Sequence, residues 1–247
     1  MFSFGFDRKA IIIVIVIMLV AWIISAGTNG LMSILLSLPG VIIAMTFHEY
    51  AHALAAYKLG DDTPKVQGRL NLNPLSHIDP IGIVLLIVAG FGWGRPVQID
   101  SRNFDGKYSL SKAEAIVAAA GPIMNFILAF VFAIIYYILF EATTVLSGLS
   151  ASAYTIVYII MIQIISVNIG LGVFNLIPLP PLDGSKVLMH FLGYNAKQWF
   201  YRNERIFYIA FLLLWMTGLL SSLLSPIFSG VFSGITWLAY KIVSIFM

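Results

Sequence analysis

The chain has 247 residues, of which 60% are hydrophobic and only 10% charged, and its mean hydropathy is +0.95. These values exclude an ordinary water-soluble protein and predict an all-α integral membrane protein. The net charge of +3 does not indicate nucleic-acid binding, because the 14 basic residues are spread between long apolar runs, as topology signals are. Since the chain has no cysteine, any metal ion must be held by His, Asp or Glu side chains.

Apolar stretches long enough to cross a bilayer, which takes about 20 residues in a helix, predict six transmembrane helices. They lie near 10–27, 31–59, 112–140, 152–177, 204–222 and 226–246. The first also has the basic flank and apolar core of a secretory signal. Its apolar run of about 17 residues is long for a cleaved signal, and no clear cleavage site follows. We therefore expect a retained first helix.

The shorter apolar run at 81–94, IGIVLLIVAGFGWG, is predicted to be a re-entrant segment. If this run does not cross, all groups of basic residues fall on one side of the membrane, which the positive-inside rule makes cytoplasmic. We therefore expect a multi-pass protein of the cell membrane with both termini in the cytoplasm. The next residues, RPVQIDS at 95–101, alternate weakly and predict a short β element near the site.

Three ionisable side chains lie inside the second apolar stretch, in TFHEYAHALAAY at 46–57. Charged residues at bilayer depth each cost roughly 2.5 to 3.5 kcal/mol on insertion scales and are usually functional. His48 and His52 are four positions apart, so on a helix they share a face and can hold one zinc ion. Glu49 is placed to activate a metal-bound water, as in the H-E-x-x-H arrangement of metalloproteases. The alternative is a polar face that lines a packed or hydrated interior.

Asp183, in NLIPLPPLDG at 175–184, is the best candidate for the third ligand that a catalytic zinc ion needs. The three prolines before it cannot continue a helix, so the chain becomes irregular near membrane depth. Irregular backbone is tolerated there only when it is buried in protein or lines a cavity. The helical rise places the two histidines about 12 to 18 Å from the cytoplasmic end of their helix. The alternative for Asp183 is an Asp-Gly turn at the surface.

Three other polar residues are weaker candidates for the site. Asn125 and Asn175 could hydrogen-bond an oxyanion or an unwound substrate, or could satisfy backbone groups of broken helices. His77, in NPLSHIDP, could be a rival third ligand or an accessory site residue. Gln163 and Asn168 are predicted to hydrogen-bond between helices.

Three motifs in this order, HEYAH, GPIMN at 121–125 and NLIPLPPLDG, resemble the site-2 protease family of intramembrane zinc metalloproteases. The linking segments GRLNLNPLSHIDPIG and GWGRPVQID are similar to those of its compact prokaryotic members. The resemblance covers about 31–192 and implies that His48, His52 and Asp183 bind zinc and that Glu49 is the catalytic base.

The same resemblance implies a protease core at 31–192 between an N-terminal transmembrane helix at 1–30 and a C-terminal pair of transmembrane helices at 193–247. We expect one Zn²⁺ ion, a membrane-spanning protein as substrate, the lipid bilayer as surroundings and a regulatory membrane partner, with no role for nucleic acid. Two alternatives remain. A metal transporter needs no Glu beside the first histidine and usually has pseudo-symmetric halves. A catalytically silent membrane adaptor would keep the fold without the chemistry.

Overall fold

The computed structural model describes residues 8–79, 81–82, 94–142 and 144–247. Within these ranges the regular structure is helical, apart from one isolated β-bridge. The α-helices are α1 (Arg8–Lys58), α2 (Thr63–Val66), α3 (Pro74–His77), α4 (Leu110–Tyr137), α5 (Ala151–Asn175), α6 (Asp183–Phe191), α7 (Tyr194–Arg202), α8 (Glu204–Met216) and α9 (Leu219–Val243).

Four helices of the described residues are long and apolar enough to cross a membrane, so the prediction of six was wrong. They are Gly30–Lys58, Leu110–Glu141, Ala151–Asn175 and Leu219–Val243.

Two predicted spans account for the difference. The first, at 10–27, belongs to the part of α1 that a backbone break at Gly27 separates from the span beginning at Gly30. The predicted span at 204–222 is interrupted by Gly218, whose φ of 72° ends the 13-residue helix α8. Such a helix is only about 20 Å long, too short for the hydrocarbon core.

The predicted β element at 95–101 was also wrong, because no strand occurs in the described ranges. Gly94 forms the isolated bridge with Ile78, and the chain then runs extended without a strand partner. Its backbone donors are used elsewhere: Pro96 has none, and side-chain carboxylates accept the amides of Val97 and Asp100. The predicted re-entrant segment at 81–94 lies largely outside the described residues.

The span of α1 packs against α4 and α5 through small residues. At Gly40, a Cβ would lie only 3.0 Å from the Gln163 carbonyl oxygen of α5, so glycine permits this close approach. A cluster of buried apolar side chains joins α4, α5 and α9; its members are Ala129, Ala133, Ile165, Ile169, Val173 and Ala239. The resulting bundle holds α1, with its histidines, against the middle of α4.

The end of α5 turns the chain back toward α1. Three prolines follow Asn175, the last residue of α5, and α6 begins at Asp183. A Cβ on Gly184 would lie 2.5 Å from the Ile177 carbonyl oxygen, so only glycine lets the first turn of α6 close against the preceding loop. Because α6 then packs along α4, its first residue lies next to the histidines of α1.

Candidate metal centre

Three acceptor atoms from distant parts of the chain converge on one point. His48 Nε2 and His52 Nε2 lie 3.0 Å apart, and Asp183 Oδ2 lies 3.1 Å from each of them. Within the part of the chain that the structure describes, this is the one group of three or more His, Asp or Glu side chains close enough to share a metal ion. Both histidines are buried, and the Asp183 side chain is 18% exposed.

The helix period and a missing side chain bring the two imidazoles together. His48 and His52 are one turn apart on α1, and their ring centroids lie 4.6 Å from each other. On α4, a Cβ at Gly121 would lie 2.6 Å from Cε1 and 2.7 Å from Nε2 of His48. Any residue larger than glycine would therefore overlap the atoms that face the metal centre.

Hydrogen bonds on the far side of each ring determine which nitrogen carries the hydrogen. His52 Nδ1 donates to the Val117 carbonyl oxygen at 2.7 Å, because a carbonyl can only accept. His48 Nδ1 lies 2.6 Å from Asn125 Oδ1. The Asn125 amide nitrogen is directed at the Ala44 carbonyl oxygen, 3.1 Å away, so the amide oxygen faces His48 and accepts from it. Both rings therefore present an Nε2 lone pair to the centre.

This geometry fits a divalent cation. Two lone pairs and a carboxylate oxygen that face one another at 3.0 to 3.1 Å repel unless a proton or a cation lies between them. Imidazole nitrogen and carboxylate oxygen are common zinc ligands, and a metal-bound histidine usually donates its other N–H to an oxygen, as both rings do. The residues present therefore match a zinc site with three protein ligands.

Glu49 lies beside this centre and is held by the extended segment that follows Gly94. It is half-buried, and its Oε2 accepts a hydrogen bond from the Val97 amide at 3.0 Å. A Cβ on Gly94 would lie 3.5 Å from Glu49 Oε1 and 3.1 Å from the His77 carbonyl oxygen. The segment thus passes close to the carboxylate and leaves it at the edge of an open space.

That space is a cavity of about 670 Å³ whose wall includes the three candidate ligands and Glu49. The remaining wall comes from the segment after Gly94, from α4, from the loop between α5 and α6, and from residues between Phe200 and Tyr208. The cavity is large enough for an extended piece of polypeptide as well as water.

The three weaker candidates from the sequence lie in three different places. Asn175 lines the cavity, and its side-chain nitrogen donates to the Leu171 carbonyl oxygen at 3.0 Å. Asn125 is fully buried behind His48, where it contacts the ring and not the cavity. His77 is fully buried away from the metal cluster; its Nε2 donates to the Asn71 carbonyl oxygen at 2.7 Å, and its own carbonyl accepts the Arg95 amide. The structure therefore does not bring His77 to the other ligands.

A buried carboxylate anchors the extended segment to the end of α1. Asp61 has no exposed surface and accepts hydrogen bonds from the backbone and hydroxyl of Thr63, the amide of Asp100 and the side chain of Asn103. Burial raises the pKa of Asp61, but the hydrogen bonds from Thr63, Asn103 and Asp100 outweigh it, so the pKa lies below its ordinary value. Asp61 thereby fixes the segment that holds Glu49.

Sequence reasoning missed two contacts because they use backbone atoms. The Val117 carbonyl oxygen orients His52, and the Val97 amide orients Glu49. Nothing about the valine side chains indicates either contact in the sequence. Sequence reasoning also missed Asp61, a carboxylate next to an apolar stretch, for which the cost of burial is the signal that it has partners. The predicted hydrogen bond of Asn168 between helices is confirmed by its contact with Asn125.

The chain resembles a known family of peptidases and several curated proteins. The model of peptidase family M50 matches residues 142–218. The chain is 40% identical over 179 residues to "Putative zinc metalloprotease YwhC" of Bacillus subtilis, covering 72% of this chain and 79% of that protein. It is 29% identical over 189 residues to "Putative zinc metalloprotease MJ0611" of Methanocaldococcus jannaschii, covering 75% and 86%.

A third relative, "Putative zinc metalloprotease Rip2" of Mycolicibacterium smegmatis, is 28% identical over 182 residues, covering 67% of this chain and 63% of that protein. No solved structure matches the chain. The extent of the similarity to YwhC and the matched family model show that this chain belongs to peptidase family M50, the site-2 protease family of zinc metalloproteases.

Proposed function

We propose that the protein is an intramembrane protease that uses one zinc ion to hydrolyse peptide bonds of membrane-spanning proteins. The observation that carries this proposal is the position of His48, His52 and Asp183 beside Glu49 in a cavity. The histidines and Glu49 lie on Gly30–Lys58, a helix apolar enough to cross a bilayer. Peptide chemistry at that depth implies a substrate that is itself within the membrane.

In this proposal His48 Nε2, His52 Nε2 and Asp183 Oδ2 hold the ion, and Glu49 is the general base. Zinc, when bound, polarises a carbonyl group and lowers the pKa of water towards 7. Glu49 accepts a proton from water as the water oxygen bonds to the scissile carbonyl carbon. The same carboxyl then gives that proton to the leaving nitrogen as the C–N bond breaks. The Val97 amide supports this exchange by holding Glu49 Oε2 in place.

The substrate must expose a peptide carbonyl to this carboxylate. A helical substrate hides its carbonyls in internal hydrogen bonds, so it has to unwind locally before hydrolysis. Asn175 lines the cavity and is half-buried, so its amide oxygen is a candidate acceptor for an unwound segment. We also propose the domain division at residues 30 and 192, with a regulatory partner acting from the membrane.

The sidedness of the protein follows from its basic residues. The connection at 139–150 between α4 and α5 has none, whereas the chain between Lys58 and Lys112 has seven, including both of these. The positive-inside rule then favours a cytoplasmic position for the end of α1 and for the cavity. The expectation of two cytoplasmic termini depended on six crossings; with the four spans of the described residues, Gly30 and Val243 lie on the opposite side.

The test compares wild type with Glu49→Gln, both purified with zinc and placed in proteoliposomes with candidate single-span proteins. The variant is expected to keep the zinc ion and to lose cleavage by about 10² to 10⁴-fold, the usual contribution of a general base. The control is Glu141→Gln, the same change at an exposed residue at the far end of the span Leu110–Glu141, and it should cut at the wild-type rate.

Cleavage by the zinc-loaded Glu49→Gln protein at the wild-type rate would contradict the assignment. Zinc flux into wild-type vesicles without cleavage would instead identify a transporter. Tight zinc binding with neither cleavage nor flux would indicate a silent adaptor.

A further inference from the structure

Behind the metal-facing side of α1, three polar side chains form a buried chain of hydrogen bonds. His48 Nδ1 donates to Asn125 Oδ1 at 2.6 Å, and Asn125 Nδ2 donates to Asn168 Oδ1 at 3.0 Å. Asn168 Nδ2 donates to the Ile164 carbonyl oxygen at 2.8 Å. Both asparagines have no exposed surface, and they lie on two helices apolar enough to span a membrane. Water is therefore not available to replace these bonds.

The direction of every bond in this chain is fixed from its far end. The Ile164 carbonyl can only accept, so the amide nitrogen of Asn168 points to it and the amide oxygen points to Asn125. The Asn125 nitrogen must then face Asn168, and its oxygen must face His48. This order leaves the hydrogen of His48 on Nδ1 and the lone pair on Nε2, where a metal ion needs it.

We propose that Asn168 is a positioning residue for the metal centre, which acts through Asn125 to keep the His48 Nε2 lone pair directed at the metal. The inference rests on the zinc site of the proposed function and not on peptide hydrolysis. Asn168 touches neither the candidate ligands nor the cavity wall.

Asn168 influences the orientation of Asn125 because it accepts one of the two hydrogens of the Asn125 amide. The Ala44 carbonyl accepts one hydrogen and Asn168 accepts the other. Without Asn168, one N–H would be buried without an acceptor, and the preference for this amide orientation would fall. In the flipped orientation the Asn125 nitrogen would face His48 Nδ1. The ring hydrogen would then move to Nε2, which would block metal binding.

The competing explanation is that Asn168 only holds α4 and α5 together, as interhelical hydrogen bonds in membranes do. A purely structural bond would change the unfolding temperature but would not change the hydrogen position on His48. The ¹⁵N shifts of the two His48 ring nitrogens report that position directly, and chelator competition reports the zinc affinity.

The experiment measures both quantities for full-length wild type, Asn168→Leu, Asn168→Asp and the matched control Gln163→Leu, which makes the same amide-to-leucine change on α5. Asn168→Leu is expected to weaken zinc binding about tenfold, the low end for outer partners of a ligand, and to populate the His48 form with hydrogen on Nε2. Asn168→Asp, which burial keeps as the neutral acid, can donate its hydroxyl to the Ile164 carbonyl and keep its other oxygen toward Asn125, so it should bind zinc nearly as wild type does. Gln163→Leu should do the same. If Asn168→Leu does not fold, Asn168→Ala tests the same loss.

A double-substitution cycle decides whether Asn168 acts through Asn125. In an Asn125→Leu background, Asn168→Leu should cause no further loss of zinc affinity. Equal losses in the two backgrounds, or unchanged ¹⁵N shifts in Asn168→Leu, would overturn the inference. A wild-type protein that binds zinc but cuts no substrate would defeat the proposed function and leave the role of Asn168 standing. A wild-type protein that binds no zinc would defeat both.

Discussion

Gly121 is the residue whose size decides how closely α4 approaches the candidate metal ligands. A Cβ at this position would lie 2.6 to 2.7 Å from two atoms of the His48 ring, a distance that real Cβ atoms essentially never show. The next residue, Pro122, removes one backbone hydrogen bond of α4. The Gly-Pro pair thus combines a missing side chain with a locally loosened helix at the point where α1 and α4 meet.

Replacing Gly121 by alanine should displace the His48 ring. We expect zinc affinity to fall at least about tenfold and stability to fall by about 1 to 3 kcal/mol, since a methyl group inserted into a filled space forces its neighbours to move. Zinc competition and thermal unfolding in detergent measure the two effects. Gly230→Ala, on α9 where nothing lies within 4 Å, is the control and should change neither by much. Wild-type zinc affinity in Gly121→Ala would show that the metal does not lie where the rings meet.

At this scale, sequence alone could predict the proximity of His48 and His52, because a spacing of four on a helix requires it. The prolines before Asp183 made it a candidate ligand, but they could not show that it lies next to His48, which is 135 residues away in the chain. The resemblance between motifs favoured the ligand over the alternative of a surface turn. Sequence reasoning also left Asn125 between a substrate contact and a structural bond, because the face that an asparagine presents depends on how helices pack.

The extended segment from Gly94 to Asp100 connects the end of α1 to the catalytic candidate Glu49. Val97 binds Glu49 at one end of the segment, and Asp61 accepts the Asp100 amide at the other. The Asp100 carboxylate in turn pairs with Arg102, and hydrogen bonds from Arg102 lower the pKa of Asp100 to about 2. Side-chain carboxylates therefore accept backbone amides of this segment, as the carbonyl groups of a neighbouring strand do in a sheet.

Removing the charge of Asp61 should release the segment in a pH-dependent way. Because the pKa of Asp61 in the folded protein lies below its ordinary value, its stabilisation is present above the ordinary pKa. It is lost as pH falls through the folded pKa. At pH 7, Asp61→Asn should lower the free energy of unfolding by roughly 1 to 3 kcal/mol. The difference from wild type should shrink below about pH 4.

Thermal unfolding of both proteins from pH 7 to pH 3 measures this difference. The exposed neighbour Asp62 makes no side-chain cap hydrogen bond, so Asp62→Asn serves as the control. A difference between wild type and Asp61→Asn that stays constant over the whole range would contradict the assigned role.

Helices were easier to predict than their boundaries. Apolar length located all four spans, near 31–59, 112–140, 152–177 and, with a start seven residues too late, 226–246, because each is a long run with few charges. It failed at 204–222, where hydropathy is insensitive to the left-handed backbone of Gly218. The weak alternation at 95–101 also misled, because alternation describes side chains, whereas a strand needs free backbone donors.

Within the part of the chain that the structure describes, the bundle encloses several polar side chains and exposes many large apolar ones. The interior of the bundle contains the histidines and the paired asparagines, while α9 exposes side chains such as Ile227 and Trp237. This distribution suits a protein surrounded by lipid, where internal polar groups must find partners within the protein. The cavity of about 670 Å³ opens beside the candidate ligands and Glu49, so it gives water a place next to them.

The central claim is that one zinc ion is bound by two imidazoles and one carboxylate. X-ray absorption at the zinc edge of the purified protein tests it most directly, because histidine rings and carboxylate oxygens scatter differently. We predict one zinc ion per chain with two histidine nitrogens and an oxygen ligand at about 2.0 to 2.2 Å, and loss of this signature in Asp183→Ala. Three or more imidazoles at the metal, or a spectrum that Asp183→Ala leaves unchanged, would contradict the claim.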